Sequence, residues 1–401
     1  MLLPTEIRII EMVVLFVALY ITVFYALLYF KHESQVLKKP RADPKFRPKV
    51  SVVVPAYNEA DTLPRCIESL LALDYPKNRL EIIVVDDGST DNTYEVAKKY
   101  EKRGVRAFTK PNGGNAAGTK NYGIKRATGD IIATLDADSY VTPSALKNML
   151  PYFSDPEVMA VTASVKAYSH RGSNFLTSIQ RTEYIFTLFS RKMLSFIDAV
   201  NVTPGPFSLF RRKVFDRIGY FDEKNILEDQ EFAMRMQKHN MKICSAMDAD
   251  VYTEVPYTFG ELLKQRIRWH RGGLHNSLKY LEMIGPRYGD MGMIVMPLTL
   301  VAVTLLFAVF IMVGLYWLFA PPYALKSGAF LLMLNLNWTS FVGMLLFFIN
   351  LWWIYMGIQY FREEGISGVD VILYVISYSY LVTLFWLAAF AKEAFREKMT
   401  W

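Results

Sequence analysis

Four apolar runs separated by one long globular stretch restrict what this chain can fold into. Residues 12–30 form an uncharged run long enough to cross the hydrocarbon core of a bilayer, and further apolar runs cover 291–320, 327–357 and 369–391. Between the first and second runs the composition is that of an ordinary globular domain. The mean hydropathy of +0.16, with 52% hydrophobic and 21% charged residues, averages these two regimes. The sequence predicts one soluble domain held between membrane anchors. It divides into an anchor at 1–30, a basic linker at 31–48, a globular domain at 49–280, a membrane region at 291–391 and a tail at 392–401, with about four spans in all.

The linker carries Lys31, Lys38, Lys39, Arg41, Lys45, Arg47 and Lys49 against Glu33 and Asp43. By the positive-inside rule this flank and the domain after it are expected in the cytoplasm. No small-residue cleavage site follows the first run, which reads as an uncleaved signal anchor in the cell membrane. Cys66 and Cys244 give no disulfide framework. The net charge of +7 lies partly in the linker, and nothing in it requires nucleic acid as a partner. The tail adds Lys392, Arg396 and Lys398 beside Glu393 and Glu397. One anchor before the domain and three after it would place this basic tail outside, against the same rule. The run at 327–357 holds Asn335, Asn337 and Asn350, which leaves room for a break or re-entrant turn and so a fifth crossing.

Within the globular stretch, short apolar strands alternate with helical segments. Val50-Ser51-Val52-Val53-Val54 reads as a strand stopped by Pro55, followed by a helix capped by Asp61 and running through Cys66 to Leu73. Glu81 to Val85 is a second strand, ending in the turn Asp86-Asp87-Gly88-Ser89-Thr90-Asp91 before a helix to about Lys102. Val105 to Thr109 is a third strand, Lys110 to Asn115 a loop and Ala116 to Ala127 a helix. Ile131-Ile132-Ala133-Thr134-Leu135 is apolar and β-prone enough for a buried parallel strand. This is the pattern of a Rossmann-like, nucleotide-binding α/β half.

That last strand ends in Asp136-Ala137-Asp138. Ligands of open α/β sheets sit beyond the carboxyl ends of the strands. Two carboxylates there, separated by the small Ala137, can hold a hard cation such as Mg2+ or Mn2+ and admit a phosphorylated ligand. Alone, the pattern more often marks a capped strand end leading into a helix near Pro143. Further on, Phe175 to Ile197 is apolar on more than one face yet carries Arg181, Arg191 and Lys192, fitting an interfacial helix or a buried core helix. Thr203-Pro204-Gly205-Pro206-Phe207 is a turn, and Ile226-Leu227-Glu228-Asp229 opens a helix on an acidic pair. Gln265-Arg266-Ile267-Arg268-Trp269 lies on a helix shortly before the second apolar run.

Pro55-Ala56-Tyr57-Asn58-Glu59, Val85-Asp86-Asp87-Gly88-Ser89, Asp136-Ala137-Asp138, Glu228-Asp229 and Gln265-Arg266-Ile267-Arg268-Trp269 occur in the order found in family 2 glycosyltransferases. From about residue 48 to 280 the chain resembles the membrane-integrated branch: the cellulose, chitin and hyaluronan synthases. In layout it is most similar to the poly-N-acetylglucosamine and nodulation chito-oligosaccharide synthases. The resemblance implies an α/β GT-A fold, a nucleotide-sugar donor, a divalent metal and inversion at the anomeric carbon. Three positions depart from it. Asn115 stands where polymer-forming members carry Lys, Leu227 replaces the usual Thr before the acidic pair, and Thr203-Pro204-Gly205-Pro206 replaces the loop facing the acceptor. Asn112 through Ile124 is closer to the form of non-processive members, with Lys120 at the basic position.

The resemblance implies a role for each motif. Asp136 and Asp138 are expected to hold Mg2+ or Mn2+, Asp138 most directly, while Arg268 and Lys120 add charge against the leaving diphosphate. Asp229, with Glu228 beside it, is the expected general base; without the resemblance the pair reads as an acidic helix N-terminus favoured by the dipole. Pro55, Tyr57, Glu59 and Asp87, with Asp136, Ala137 and Gln265, are expected to line the nucleotide-sugar pocket. Tyr57 and Glu59 would flank base and ribose, Asp87 would accept from a uracil N–H, and Asp86 would be a turn partner. Trp269 offers a flat face to an acceptor sugar, or is an interfacial tryptophan, and Gly205 belongs to the acceptor side. His270 and His275 lack metal-ligand spacing.

The leading expectation is an inverting hexosyltransferase that extends a glycan from a UDP-sugar at the bilayer. A close alternative transfers one sugar to a membrane lipid, as ceramide glucosyltransferases with a similar Arg-Trp motif do. Asn115 favours that alternative; the Gln-x-x-Arg-Trp helix beside a span and the N-terminal anchor favour the synthase. A catalytically silent export or scaffold subunit is a third reading, opposed by the intact Asp136, Asp138 and Asp229. Four spans are few for a polymer channel, so a synthase would imply a homo-oligomer, helper spans or a short product.

Overall fold

The first apolar run belongs to a longer helix, α1 (Pro4–Val36), in the computed structural model, which describes residues 4–41, 45–319, 338–361 and 365–397. The alternation read between residues 50 and 134 is present. Strands β1 (Val50–Ala56), β2 (Leu80–Asp86), β3 (Val105–Thr109) and β4 (Ile131–Thr134) pair in parallel, with β1 between β2 and β4. Their apolar residues are buried on both faces, as a parallel sheet requires. Helices α2 (Leu63–Leu71) and α3 (Thr93–Lys99) pack Leu63, Ile67 and Ala97 against Val52, Val54 and Val84. Helix α4 (Ala116–Ile124) packs Ala117 and Ile124 on the other face, against Val53 and Ile83. Two ends differ from expectation: α2 begins after Thr62 rather than on an Asp61 cap, and α4 stops at Ile124.

After β4 the chain departs from the sequence reading. Near Pro143 it first makes a short strand, β5 (Ser139–Val141), and then α5 (Ala145–Met149). Three more strands, β6 (Val158–Tyr168), β7 (Ser208–Arg211) and β8 (Lys242–Glu254), extend the sheet to the order β3-β2-β1-β4-β7-β6-β8-β5. The sheet is mixed rather than wholly parallel: β7 runs antiparallel to both β4 and β6. Polar residues hid the two long strands. Thr162, Ser164 and Lys166 are buried in β6, and Lys166 Nζ lies 3.3 Å from Asp250 of β8.

Between β6 and β7 lies α6 (Phe175–Ser195), started by a reciprocal cap between Asn174 and Thr177. Helices α7 (Arg212–Ile218) and α8 (Glu228–Lys238) cover the α4 face with Phe215 and Phe232. Helix α9 (Phe259–Lys279) starts from the Thr258–Glu261 capping box. Three long helices follow: α10 (Met296–Phe319), α11 (Trp338–Phe361) and α12 (Gly368–Ala394). With α1 they make four described helices long and apolar enough to cross a membrane. The end of α11 is joined to the sheet by the buried Lys166, whose Nζ donates to Phe361 O at 3.0 Å. Asn350 Nδ2 donates to Leu346 O at 2.8 Å inside a continuous helix. The break suggested by Asn335 and Asn337 falls outside the described residues.

Candidate active site

The sheet brings the ends of β1, β2 and β4 side by side: Ala56 lies opposite Asp86, and Val53 opposite Thr134. Leu135 N still donates to Val53 O at 3.0 Å, so Asp136 and Asp138 leave the sheet beside the β1 end. The two loops flanking this point are fastened together. Asn58, held at φ +55°, accepts from Thr90 N at 2.9 Å and donates its own N–H to Ser89 Oγ at 2.9 Å. Glu59 N donates to Thr93 Oγ1 at 2.8 Å. Asp86 accepts from Ser89 N and Thr109 Oγ1, which makes it a turn partner. Asp87 Oδ1 is already engaged by Lys110 Nζ and by Gly113 N at 3.0 Å, so this carboxylate holds the 110–113 loop to the end of β2. Pro55 lies within β1, opposite Val85, and Tyr57 stands exposed just beyond it.

Asp138 Oδ1 accepts from Ser139 Oγ at 2.8 Å, and that hydroxyl also meets Thr253 Oγ1 at 2.9 Å. Burial, then the nearby carboxylates of Asp136 and Glu59, push Asp138 up to about 7. Glu59 is itself raised, by burial first, with Asp136 adding to it. Like charges crowded in this way are relieved by a cation. Among the described residues no group of three or more His, Cys, Asp or Glu forms a complete metal site. An ion on Asp136 and Asp138 would therefore draw its other oxygens from a phosphorylated ligand and water. Ala137, between the two acids, is buried in the core.

Three segments from far along the chain close on these acids. The turn at 203–207 enters β7 beside β4, and a Cβ on Gly205 would stand 2.5 Å from Asp136 Oδ2. Only glycine lets the turn lie against that carboxylate. Lys120, on α4 and 3% exposed, donates to Glu228 Oε1 at 2.9 Å and lies 3.6 Å from Asp136 Oδ1. Burial alone would lower this lysine; Glu228 and Asp136 together hold it above the usual lysine range. Asp229 opens α8, partly exposed, its Oδ1 accepting from Gln230 N at 2.7 Å and its carbonyl from Thr203 Oγ1 at 3.0 Å. Burial, then Glu228, push Asp229 up to about 6, while Lys120 opposes the rise.

Helix α9 supports the backbone that leads into this acidic pair. Arg268 Nη1 donates to Ile226 O at 3.3 Å, and Asn276 Nδ2 to Leu227 O at 3.2 Å. Gln265 Oε1 accepts from Arg266 Nη1 at 2.9 Å. Arg266 is buried, pairs with Glu183 of α6, and lays its guanidinium 4.0 Å from the centre of the Trp269 ring. One face of Trp269 is therefore occupied, and at most the other is open to a sugar. His270, lowered to about 4 by burial, and His275 both turn to α12, against Trp386 and Glu393.

Tyr184 and Arg191 of α6 were not marked by the motifs as site residues. Seven positions apart, they share a helix face. Asp138 is among the charges acting on Tyr184, and Asp229 among those acting on Arg191. Burial lowers Arg191 to about 10, and its guanidinium makes no hydrogen bond or ion pair among the described residues. The sequence's only signal for them was the amphipathic spacing of the helix.

A strand-end acid pair, a buried lysine and a helix-borne carboxylate on this mixed sheet define the GT-A class of nucleotide-sugar transferase folds. Residues 51–219 match the family described as Glycosyl transferase family 2. The four described apolar helices fit a membrane-integrated member of such a family. Poly-beta-1,6-N-acetyl-D-glucosamine synthase of Staphylococcus aureus (strain MSSA476) is 33% identical over 264 residues, 64% of this chain and 63% of that protein. The enzyme of the same description from Staphylococcus epidermidis is 32% identical over 228 residues, 56% of this chain and 54% of that one. The chain thus matches less than two thirds of the length of these relatives. A mannosyltransferase from Pyrobaculum calidifontis, solved with GDP-Man and Mn2+, superimposes with a TM-score of 0.60 at 18% identity, over 97% of this chain and all of that one. At that identity the likeness establishes the fold.

Proposed function

We propose that the protein transfers a sugar, an N-acetylhexosamine, from a UDP-sugar to a growing glycan at the membrane, with inversion. One observation carries this reading: the buried Lys120 bonds Glu228, the neighbour of Asp229 at the start of α8, at 2.9 Å and lies 3.6 Å from Asp136 at the end of β4, so the strand-end acids and the helix-borne acidic pair meet at one cation. Two carboxylates at the strand end suit the metal-bound diphosphate, and a separate carboxylate near pKa 6 suits a base. The similarity to poly-N-acetylglucosamine synthases supports the choice of sugar. The Mn2+ in the Pyrobaculum calidifontis enzyme supports a divalent ion.

Asp136 and Asp138 would hold Mg2+ or Mn2+, which supplies charge neutralisation to the leaving diphosphate. The chain's own residues do the rest. Asp229 takes the proton from the acceptor hydroxyl as that oxygen bonds to the anomeric carbon and the sugar–phosphate bond breaks. Lys120 pairs with Glu228 and adds positive charge beside Asp136, and Arg191 and Arg268 supply further cations to the departing UDP. The free face of Trp269 carries the acceptor ring. The basic residues of the 31–49 segment support a cytoplasmic domain, and a polymer product would need a homo-oligomer or helper spans.

One observation favours a second reading, transfer of a single sugar to a membrane lipid. Asn115, where the resemblance implies Lys in polymer-forming members, is committed to capping α4, its Oδ1 accepting from Gly118 N at 2.7 Å. Product sizing separates the two. Incubating the protein in nanodiscs with UDP-N-acetylglucosamine and Mn2+ should give a ladder of water-soluble saccharides. A single sugar in the organic phase, dependent on added lipid, would replace the synthase reading with the lipid one.

A further inference from the structure

Helix α12 has the length and composition of a membrane span, yet both of its ends are bonded to the globular domain. At 27 residues it is roughly 40 Å long, more than the hydrocarbon core of a bilayer. If it crossed, one end would stand on the far side. At its start, Val371 and Tyr374 pack with Ile179 of α6, and Asp370 lies by Ser178 and Arg181 of the same helix. In its middle, Phe385 and Trp386 meet His270 of α9. At its end, Glu393 accepts from Arg271 Nε at 2.9 Å and meets His275 Nε2 at 3.0 Å, while Arg271 Nη2 donates to Glu397 O at 2.8 Å.

The helices that receive these contacts lie flat on the domain. Helix α6 is tied down at its start by Asn174 Nδ2 donating to Tyr257 O at 2.9 Å, and near its end by Lys192 Nζ donating to Ser245 O at 3.0 Å. Helix α9 begins at the end of that same loop. It finishes where Lys279 Nζ bonds Asp222 at 2.9 Å and Tyr280 OH donates to Glu231 at 2.6 Å. A helix bonded to one of these at its start and to the other at its end must lie along the same surface. By contrast, α11 touches the domain at one end: Phe361 is held by Lys166, while Trp338, Phe341 and Phe348 at the other end are exposed.

The outward face of α12 shows what covers it. Val369, Ile372, Ile376, Tyr380, Leu384 and Leu387 form one exposed stripe from end to end, while Tyr374, Phe385 and Ala389 are buried on the inward face. An apolar stripe of this length on the outward side of a helix belongs in lipid. Its backbone groups are satisfied within the helix wherever it sits.

We propose that α12 is a membrane-surface brace, lying in the plane of the bilayer between the lipid and helices α6 and α9, and that of the four described apolar helices only α1, α10 and α11 cross. The C-terminal end is then on the same side as the globular domain. Lys392 and Arg396 share a side with Lys31, Lys38 and Lys39, which removes the conflict with the positive-inside rule.

Two measurements on the full chain in membranes test this. The first adds protease to inverted and right-side-out vesicles and follows an epitope placed after residue 397 and another in the exposed loop at Gly172. Both epitopes should be lost in the same vesicle orientation; loss in opposite orientations overturns the proposal. The second attaches a spin label to Ile376→Cys, Tyr380→Cys and Leu387→Cys in nanodiscs and reads depth from collisions with oxygen and a nickel chelate. The three labels should report one shallow depth. A profile deepest at residue 380 and rising toward both ends is that of a crossing helix and overturns the proposal as well.

Discussion

Lys120 Nζ donates to Glu228 Oε1 at 2.9 Å across a gap of more than a hundred residues of sequence, and it stands 3.6 Å from Asp136 Oδ1. The acids assigned to the metal and the acidic pair that includes the base meet at this buried cation. It links the end of β4 to the start of α8, and so fixes the distance between the acids that suit a metal and the acid that suits a base. Lys120→Met would leave Glu228 buried without a partner, a loss of about 3–5 kcal/mol. Glu228→Gln, which keeps an acceptor, should cost less. Urea unfolding of the two variants beside the wild type checks the order, and equal stability of all three would contradict it.

The raised pKa of Asp229 sets the acid limb of the pH profile. The group must be ionised to take a proton, and it is ionised above about 6. The expected kcat/KM falls about tenfold per pH unit below that point. Asp229→Asn should lower kcat by roughly 10²–10⁴-fold and leave donor affinity within a small factor. Initial rates between pH 5 and 8 measure both effects.

Asp138 links stability to pH and to metal. Its folded value of about 7 lies above that of an unfolded aspartate, so the native state holds its proton more tightly. The stability it contributes is fully present below about pH 4 and is lost as pH rises through 7. The metal-free wild type should therefore lose more Tm between pH 5 and 8 than Asp138→Asn does. At pH 8, Mn2+ with UDP should raise the Tm of the wild type and leave that of the variant unchanged. Calorimetry at the two pH values tests this; an identical pH response in both proteins would contradict it.

Gly205→Ala places a methyl group 2.5 Å from Asp136 Oδ2, so the turn or the carboxylate must move. The turn is held by Ser208 Oγ donating to Pro204 O at 2.6 Å, so the carboxylate should yield. A displacement of this size is expected to lower kcat about 10²-fold while the fold is kept. Rates with circular dichroism as a folding control decide it.

The sequence revealed the parts of this protein that repeat a simple period. The parallel strands β1 to β4 are short, apolar and β-branched, and the turn at Asp86–Asp91 reads directly from its Gly, Ser and Asp content. β6 and β8 were illegible because buried polar residues such as Thr162 and Lys166 find partners only in the folded sheet. Asp136, Asp138 and Asp229 could be picked out by motif, but the lysine that joins them could not be paired from spacing alone. Arg266 shows the same limit: it adjoins Arg268 in the motif, yet it turns to Glu183 and covers Trp269. Tyr184 and Arg191 carry no motif, and only the folded chain brings them within electrostatic reach of Asp138 and Asp229.

Release of UDP is the most direct test of the central claim that this site transfers a sugar from a metal-bound nucleotide donor. The purified protein in nanodiscs would be given UDP-N-acetylglucosamine with Mn2+ or Mg2+, with EDTA, and as the Asp138→Asn and Asp229→Asn variants. The account predicts steady UDP release that EDTA abolishes and that both variants reduce to background. Release that survives EDTA, or that persists in both variants, would contradict it.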